Sequence, residues 1–139
     1  MSIPESPNAV FVYGTLKKGQ CRESCWPLQP ESIQDASIRA NLFDREDYPA
    51  LGQGENTVVG QLWTFQDDDI DKVIHALDKV EGAEQPGSPD LYHRVIVEAY
   101  DDQGGSLGYA YTYMYANDPT EDGFQPMTPD ASGKIEWVR

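Results

Sequence analysis

The sequence predicts an α+β protein built from a curved or barrel-like sheet and one main helix. About five segments have the β-branched and aromatic composition of strands, whereas one segment has helical periodicity. The strand segments at 91–101 and 107–116 are joined by a glycine turn, which indicates a hairpin and not a β-α-β unit. At 139 residues the chain fits one domain, with residues 1–7 and 117–139 peripheral or partly irregular.

The N-terminal part of the chain carries two predicted strands separated by a loop. Asn8–Tyr13 is β-branched and aromatic and ends at Gly14 and Thr15, which predicts a buried strand followed by a turn. Residues 17–30 are polar and interrupted by proline, so we expect a loop with one helical turn. Ile33–Phe43 is the second predicted strand, and its second half alternates as a strand with one exposed face does.

A turn region and a third strand are predicted next. Residues 47–56 contain Pro49 together with Gly and Asn residues, and this composition is typical of turns. Thr57–Phe65 has strand composition, and Gly60 within it indicates a bulge or a close approach of another backbone.

One helix is predicted between the third strand and the hairpin. Apolar residues recur at three- and four-residue steps from Ile70 to Val80. Asp67–Asp69 can cap its N-terminus, and Gly82 can adopt the left-handed conformation that ends a helix. The hairpin turns at Gln103–Gly105, and residues 133–139 are expected to form a last edge strand.

Glu81 breaks the pattern of this helix. With about 100° per residue counted from Ile70 as zero, the apolar side chains cluster on both sides of zero, and Glu81 falls at about 20°, within that cluster. A carboxyl group on that face is removed from water, which favours its neutral form and suits a general acid or base. Two other interpretations remain open here: the helix end frays into solvent, or Glu81 pairs with Arg94. On the same count His75 points to solvent, and Asp78 is a boundary residue expected to be solvated or capping.

A second candidate site is the bend Tyr13-Gly14-Thr15-Leu16, where a strand ends abruptly at a glycine. Consecutive backbone N–H groups in such a turn can point into a concavity that binds a carboxylate or an oxyanion. The segment has neither the glycine spacing nor the Lys-Ser/Thr end of a phosphate loop. A purely structural turn is the alternative.

The charge balance restricts the partners that we expect. Ten Lys plus Arg against 24 Asp plus Glu give a net charge of −14 and a pI near 4.2. This argues against nucleic acid and anionic membrane surfaces, because both bind clustered Lys and Arg. No apolar run is long enough to cross a bilayer, and the N-terminus lacks the pattern of a secretory signal. We expect a cytoplasmic monomer or weak homodimer.

The cysteines and histidines do not suggest a metal or redox site. Cys21 and Cys25 are four residues apart, which is not the two-residue spacing of redox motifs. His75 and His93 are far from them in sequence, so no metal or cofactor is predicted. Two reduced thiols without a special role are the expectation, and a thiol-dependent regulatory protein is the alternative.

Taken together, the motifs resemble the γ-glutamylcyclotransferase-like superfamily, especially its γ-glutamylamine cyclotransferase branch and bacterial relatives. They occur in the family's order and cover roughly residues 9–115. The matching segments are Phe11–Gly19, Leu42–Asp44, Asp47–Leu51, Val59–Leu62, Leu77–Gly82, Tyr92–Val97 and Ala110–Tyr113.

The resemblance implies a small mixed, largely antiparallel β-barrel flanked by one main helix and short helices. It also implies that Glu81 is the catalytic acid/base, and that Tyr13, Gly14, Thr15 and Leu16 hold the γ-glutamyl group. Tyr92 is expected to face the site, Arg94 to be structural, and Tyr113 or Tyr115 to line the cavity.

The implied reaction is cyclisation of a small γ-glutamyl amine or amino acid to 5-oxoproline with release of the amine. It requires no metal and no covalent enzyme intermediate. A non-catalytic small-molecule-binding barrel of the same fold is the alternative.

Overall fold

The computed structural model describes residues 7–14, 16–18, 23–45, 48–83 and 91–137. Within these residues a five-stranded mixed barrel carries two short additional strands and one α-helix, which confirms the predicted fold class. The elements in chain order are β1 (Ala9–Val12), β2 (Ser32–Arg45), β3 (Tyr48–Thr64), α1 (Ile70–Glu81), β4 (Tyr92–Tyr100), β5 (Ser106–Tyr115), β6 (Gln125–Pro126) and β7 (Lys134–Glu136). Short 3₁₀ helices lie at Glu23–Cys25 and Pro119–Asp122.

The barrel closes through the order β2-β4-β5-β1-β3, since β3 also pairs with β2. β1 is antiparallel to β3, with Phe11 opposite Leu62, and parallel to β5, with Val10 opposite Tyr111. All four residues of β1 are buried, because one face contributes to the barrel interior and the other packs beneath α1. The bend that follows β1 is therefore held between two neighbouring strands.

The turn region predicted for residues 47–56 is wrong for most of its length, because β3 already begins at Tyr48. This part of β3 pairs with the second half of β2, and the register shifts between Ala40 and Asn41. Gly54 lies at this irregularity, where a Cβ atom would be 2.2 Å from Cγ of Asn41. The glycine that resembles a turn signal therefore makes room in a bulged hairpin. Residues 46 and 47 lie outside the described part of the chain.

Helix α1 has the predicted position and the predicted end. Gly82 is left-handed (φ 67°), and its N–H donates to the carbonyl of Asp78. The predicted aspartate cap is wrong in detail, because Asp69 occupies the N-cap position without a side-chain capping bond. Main-chain bonds serve instead, with the N–H of Ile70 donating to the carbonyl of Gln66 at 3.2 Å.

The C-terminal segment packs onto the barrel edge. β7 pairs in parallel with β3, which confirms the predicted edge strand, whereas the short strand β6 beside β2 was not predicted. Phe124, Ile135 and Trp137 in this segment are buried. No helix in the described part of the chain is long and apolar enough to cross a membrane.

Candidate active site

A cavity of about 140 Å³ lies where the end of β1, the end of α1 and the start of β4 meet. Tyr13, Gly14 and Leu16 line it from the bend, and Glu81 lines it from the helix. Tyr92 completes this set from β4. Five of the six predicted site residues therefore surround one cavity, and the sixth, Thr15, lies outside the described residues.

Glu81 is the last residue of α1 and is half-buried at the cavity wall. Val73, Ile74 and Leu77 on the same helical face are buried, as the periodicity predicts. Gly82 ends the helix directly after Glu81, so Glu81 lies where the helix gives way to a left-handed turn. Glu81 is the only carboxyl group among the described residues that line the cavity.

The bend after β1 is a tight turn that the surrounding side chains hold in place. The N–H of Lys17 donates to the carbonyl of Gly14 at 3.1 Å. A Cβ atom on Gly14 would lie 2.6 Å from Cγ of Pro49, so only glycine fits there without a shift. Leu16 is buried, and its carbonyl accepts a 2.9 Å hydrogen bond from the indole N–H of Trp26.

Three buried tyrosines line the cavity with their hydroxyl groups already engaged. Tyr13 donates to the carbonyl of Tyr113 at 2.6 Å, and Tyr92 donates to the carbonyl of Pro49 at 2.9 Å. Burial raises the pKa of Tyr13 well above its usual value, and the nearby Tyr92 and Glu81 raise it further. Burial and the hydrogen bond to Asp78 likewise raise the pKa of Tyr113. Tyr13 and Tyr113 are thus neutral near pH 7 and serve as walls and hydrogen-bond donors.

Asp78, predicted as a boundary residue that is solvated or capping, is instead buried and paired with residues of the barrel. Its side chain is 10% exposed, accepts a 2.8 Å hydrogen bond from the hydroxyl of Tyr113 and forms an ion pair with Arg94. These two partners stabilise a carboxylate that would otherwise be costly to bury. One feature of the sequence could have indicated a role for Asp78. It lies three residues before Glu81, so both carboxyl groups are near the same end of α1.

Residues 10–135 match the protein-family model described as gamma-glutamyl cyclotransferase, AIG2-like. The chain belongs to this family. No curated protein matches its sequence.

Solved structures share the fold of this AIG2-like protein. An AIG2-like protein from Mus musculus is 19% identical, with a TM-score of 0.59 over 95% of this chain and 96% of that one. A protein from Arabidopsis thaliana is 22% identical, with a TM-score of 0.58 over 99% of this chain and 81% of that one. YkqA from Bacillus subtilis is 20% identical, with a TM-score of 0.60 over 88% of this chain. The match spans 38% of the YkqA chain.

Among the remaining candidate residues of this AIG2-like protein, Tyr113 lines the cavity, whereas His75, Cys25 and Tyr115 are not among its lining residues. His75 is exposed, as predicted, and Cys25 is an exposed free thiol, whereas Cys21 lies outside the described residues. Tyr113 lines the cavity, while the hydroxyl of Tyr115 donates to Asp122 at 2.7 Å. The structure thus separates the two tyrosines that the sequence left as alternatives.

Proposed function

We propose that this protein is a γ-glutamyl cyclotransferase that converts the γ-glutamyl group of a small γ-glutamyl amine or amino acid to 5-oxoproline. Glu81 is the general acid/base, and the amine is released. The observation that carries this proposal is that Glu81 and the bend at Tyr13 and Gly14 line the same cavity. Membership of the AIG2-like family supports the same class of reaction.

The reaction needs no co-reactant, because the substrate supplies its own nucleophile. Glu81 accepts a proton from the α-ammonium group, and the free amine attacks the δ-carbonyl carbon. A C–N bond forms to close the five-membered ring, and the amide C–N bond to the leaving amine breaks. Glu81 returns this proton to the leaving nitrogen. It then takes the second proton, which the ring nitrogen loses as the lactam forms, and passes it to the released amine, so the amine leaves as an ammonium ion and Glu81 ends as the carboxylate.

Ring closure also requires the substrate to be bound in a folded conformation, and the bend can hold it so. Backbone N–H groups over residues 14–16 can bind the α-carboxylate and hold the amine close to the δ-carbonyl carbon. Apolar side chains of Val12, Val80 and Leu91 also line the cavity. The hydroxyl groups of Tyr13 and Tyr92 are held by hydrogen bonds to backbone carbonyls, so these two side chains form a fixed part of the pocket wall.

The test is the substitution Glu81→Gln, which keeps the size of the side chain and removes its proton transfer. We expect 5-oxoproline release from a panel of γ-glutamyl amines and amino acids to fall by at least about 10²-fold. Substrate binding, measured by calorimetry, is expected to persist. Glu55→Gln is the matched control, because Glu55 is exposed on β3. Wild-type release of 5-oxoproline by Glu81→Gln would refute the assignment. Binding without any release by the wild-type protein would support a non-catalytic barrel instead.

A further inference from the structure

The position of Glu81 depends on how the end of α1 is held, because Glu81 is its last residue. The carbonyl of Asp78 accepts the N–H groups of both Gly82 and Ala83, the latter at 2.8 Å. Glu81 therefore lies inside a short loop of backbone that closes on Asp78. The backbone position of Glu81 is therefore coupled to that of Asp78.

The side chain of Asp78 ties this loop to the barrel. One carboxylate oxygen accepts the hydroxyl of Tyr113 on β5, and the other pairs with Arg94 on β4. Arg94 is itself held over the ring of Tyr111, with 5.6 Å between its Cζ and the ring centroid. The last turn of α1 is thus attached to two adjacent barrel strands by one carboxylate.

Tyr113 also connects this attachment to the bend. Its hydroxyl donates to Asp78, while its carbonyl accepts the hydroxyl of Tyr13 at 2.6 Å. A single residue of β5 therefore contacts both the turn that carries Glu81 and the residue that begins the bend. Cyclisation depends on the distance between the acid/base and the bound substrate, and an error of about 1 Å can cost about 10²-fold in rate.

We infer that Asp78 and Tyr113 are positioning residues whose hydrogen bond holds Glu81 against the bend at Tyr13 and Gly14. This inference rests on the proposed function of the same cavity. Neither residue transfers a proton in the reaction. Their role is to keep a constant distance between Glu81 and the bend that binds the substrate carboxylate.

The matched test compares Tyr113→Phe with Tyr115→Phe. Both substitutions are on β5, and each removes a hydroxyl that donates to an aspartate, at 2.8 Å for Tyr113 and 2.7 Å for Tyr115. The partner of Tyr115 is Asp122 in the C-terminal segment, far from α1 in sequence. We expect Tyr113→Phe to lower kcat by about 10-fold or more with KM changed less, and Tyr115→Phe to change both by less than about twofold.

Two substitutions of Asp78 separate positioning from general loss of stability. Asp78→Asn keeps an oxygen acceptor for the hydroxyl of Tyr113, whereas Asp78→Ala removes it. If positioning is the role, Asp78→Asn retains more of kcat than Asp78→Ala does. Unfolding midpoints in urea, measured for each variant, confirm that the assayed protein is folded. Equal kcat for both Asp78 variants would contradict the inference.

Amide hydrogen exchange gives a readout that does not depend on activity. Exchange at Gly82 and Ala83 is expected to be faster in Tyr113→Phe than in Tyr115→Phe or wild type. Unchanged kcat and unchanged exchange in Tyr113→Phe, beside an inactive Glu81→Gln, would overturn the inference and leave the proposed function intact. An inactive wild-type protein would refute the proposed function, and the exchange rates would then decide whether Tyr113 holds the helix end.

Discussion

The hydroxyl of Tyr13 donates a 2.6 Å hydrogen bond to the carbonyl of Tyr113, which joins the bend after β1 to the barrel strand β5. Tyr113 in turn donates its own hydroxyl to Asp78 at 2.8 Å. Burial is the largest cause of the raised pKa of both phenols. The two hydroxyl groups that connect the bend to α1 through β5 are therefore neutral hydrogen-bond donors, and they do not titrate near physiological pH.

These two phenols predict how stability depends on alkaline pH. The pKa of each is higher in the folded protein than in the unfolded chain, where it is about 10. Their contribution to the free energy of unfolding is thus fully present below about pH 10 and is lost as pH rises further, because the unfolded chain gains phenolates. We expect the phenolate absorbance of Tyr13 and Tyr113 to appear only as the protein unfolds.

A spectrophotometric titration beside far-UV circular dichroism checks this expectation. Removing both hydroxyls in Tyr13→Phe/Tyr113→Phe should reduce the absorbance that coincides with unfolding by the contribution of these two phenols and lessen the loss of stability above about pH 10. If the full phenolate absorbance developed before any loss of structure, the buried position of these phenols would be wrong.

Gly14→Ala tests the close approach at the bend. A Cβ atom at this position would lie 2.6 Å from Cγ of Pro49, so the bend or Pro49 must move. We expect a loss of about 1–3 kcal/mol in the free energy of unfolding and a loss of 5-oxoproline release. Pro49→Ala removes the clashing atom, so the double substitution should lose less stability than the sum of the two single ones. Urea unfolding of all four proteins provides this cycle, and simple additivity would contradict the clash.

Substitution of the cysteines tests the alternative that this is a thiol-dependent regulatory protein. Cys25 is exposed on the short 3₁₀ helix and is not among the cavity residues. Cys25→Ser is therefore expected to keep the unfolding midpoint and the rate of 5-oxoproline release, because exposed substitutions change stability by less than about 0.5 kcal/mol. The double substitution Cys21→Ser/Cys25→Ser extends the test to both thiols. Both quantities are to be measured with and without a thiol reductant. A rate that responds to the reductant only in the wild-type protein would favour the regulatory hypothesis.

The elements that depend on local pattern were predictable from the sequence. The stripe of apolar residues defines α1, Gly82 defines its end, and the position of Glu81 on that stripe indicates a carboxyl group directed inward. β1 could also be predicted from the sequence, because a short β-branched and aromatic run is typical of a strand buried on both faces.

The errors arose where distant residues decide the structure. The first half of β3 is a strand because β2 pairs with it, although Pro49 and Gly54 are individually typical of turns. Asp78 is buried because Tyr113 and Arg94 provide its partners, and both lie on strands that periodicity within α1 does not reveal. Helical periodicity predicts the direction in which a side chain points. Its hydrogen-bond and ion-pair partners lie on other elements, so they depend on the tertiary structure.

Trp137 connects the C-terminal segment to the residues around the bend after β1. Trp137 is 2% exposed, its indole N–H donates to Asp44 at 3.0 Å, and its carbonyl accepts the ammonium group of Lys17 at 2.8 Å. Its ring also lies behind the bend, 3.8 Å from where a Cβ atom of Gly14 would be. Trp137→Ala should therefore lower the free energy of unfolding by about 3–5 kcal/mol, as removal of a buried aromatic side chain does.

Trp137→Phe separates the packing of this side chain from its hydrogen bond. It keeps an aromatic ring and removes the indole N–H, so the expected loss in the free energy of unfolding is smaller, about 1–3 kcal/mol. Urea unfolding followed by circular dichroism measures both variants. Because the ring packs behind Gly14, the loss of 5-oxoproline release should be larger for Trp137→Ala than for Trp137→Phe. A Trp137→Ala variant as stable as the wild type would show that the segment does not hold the bend.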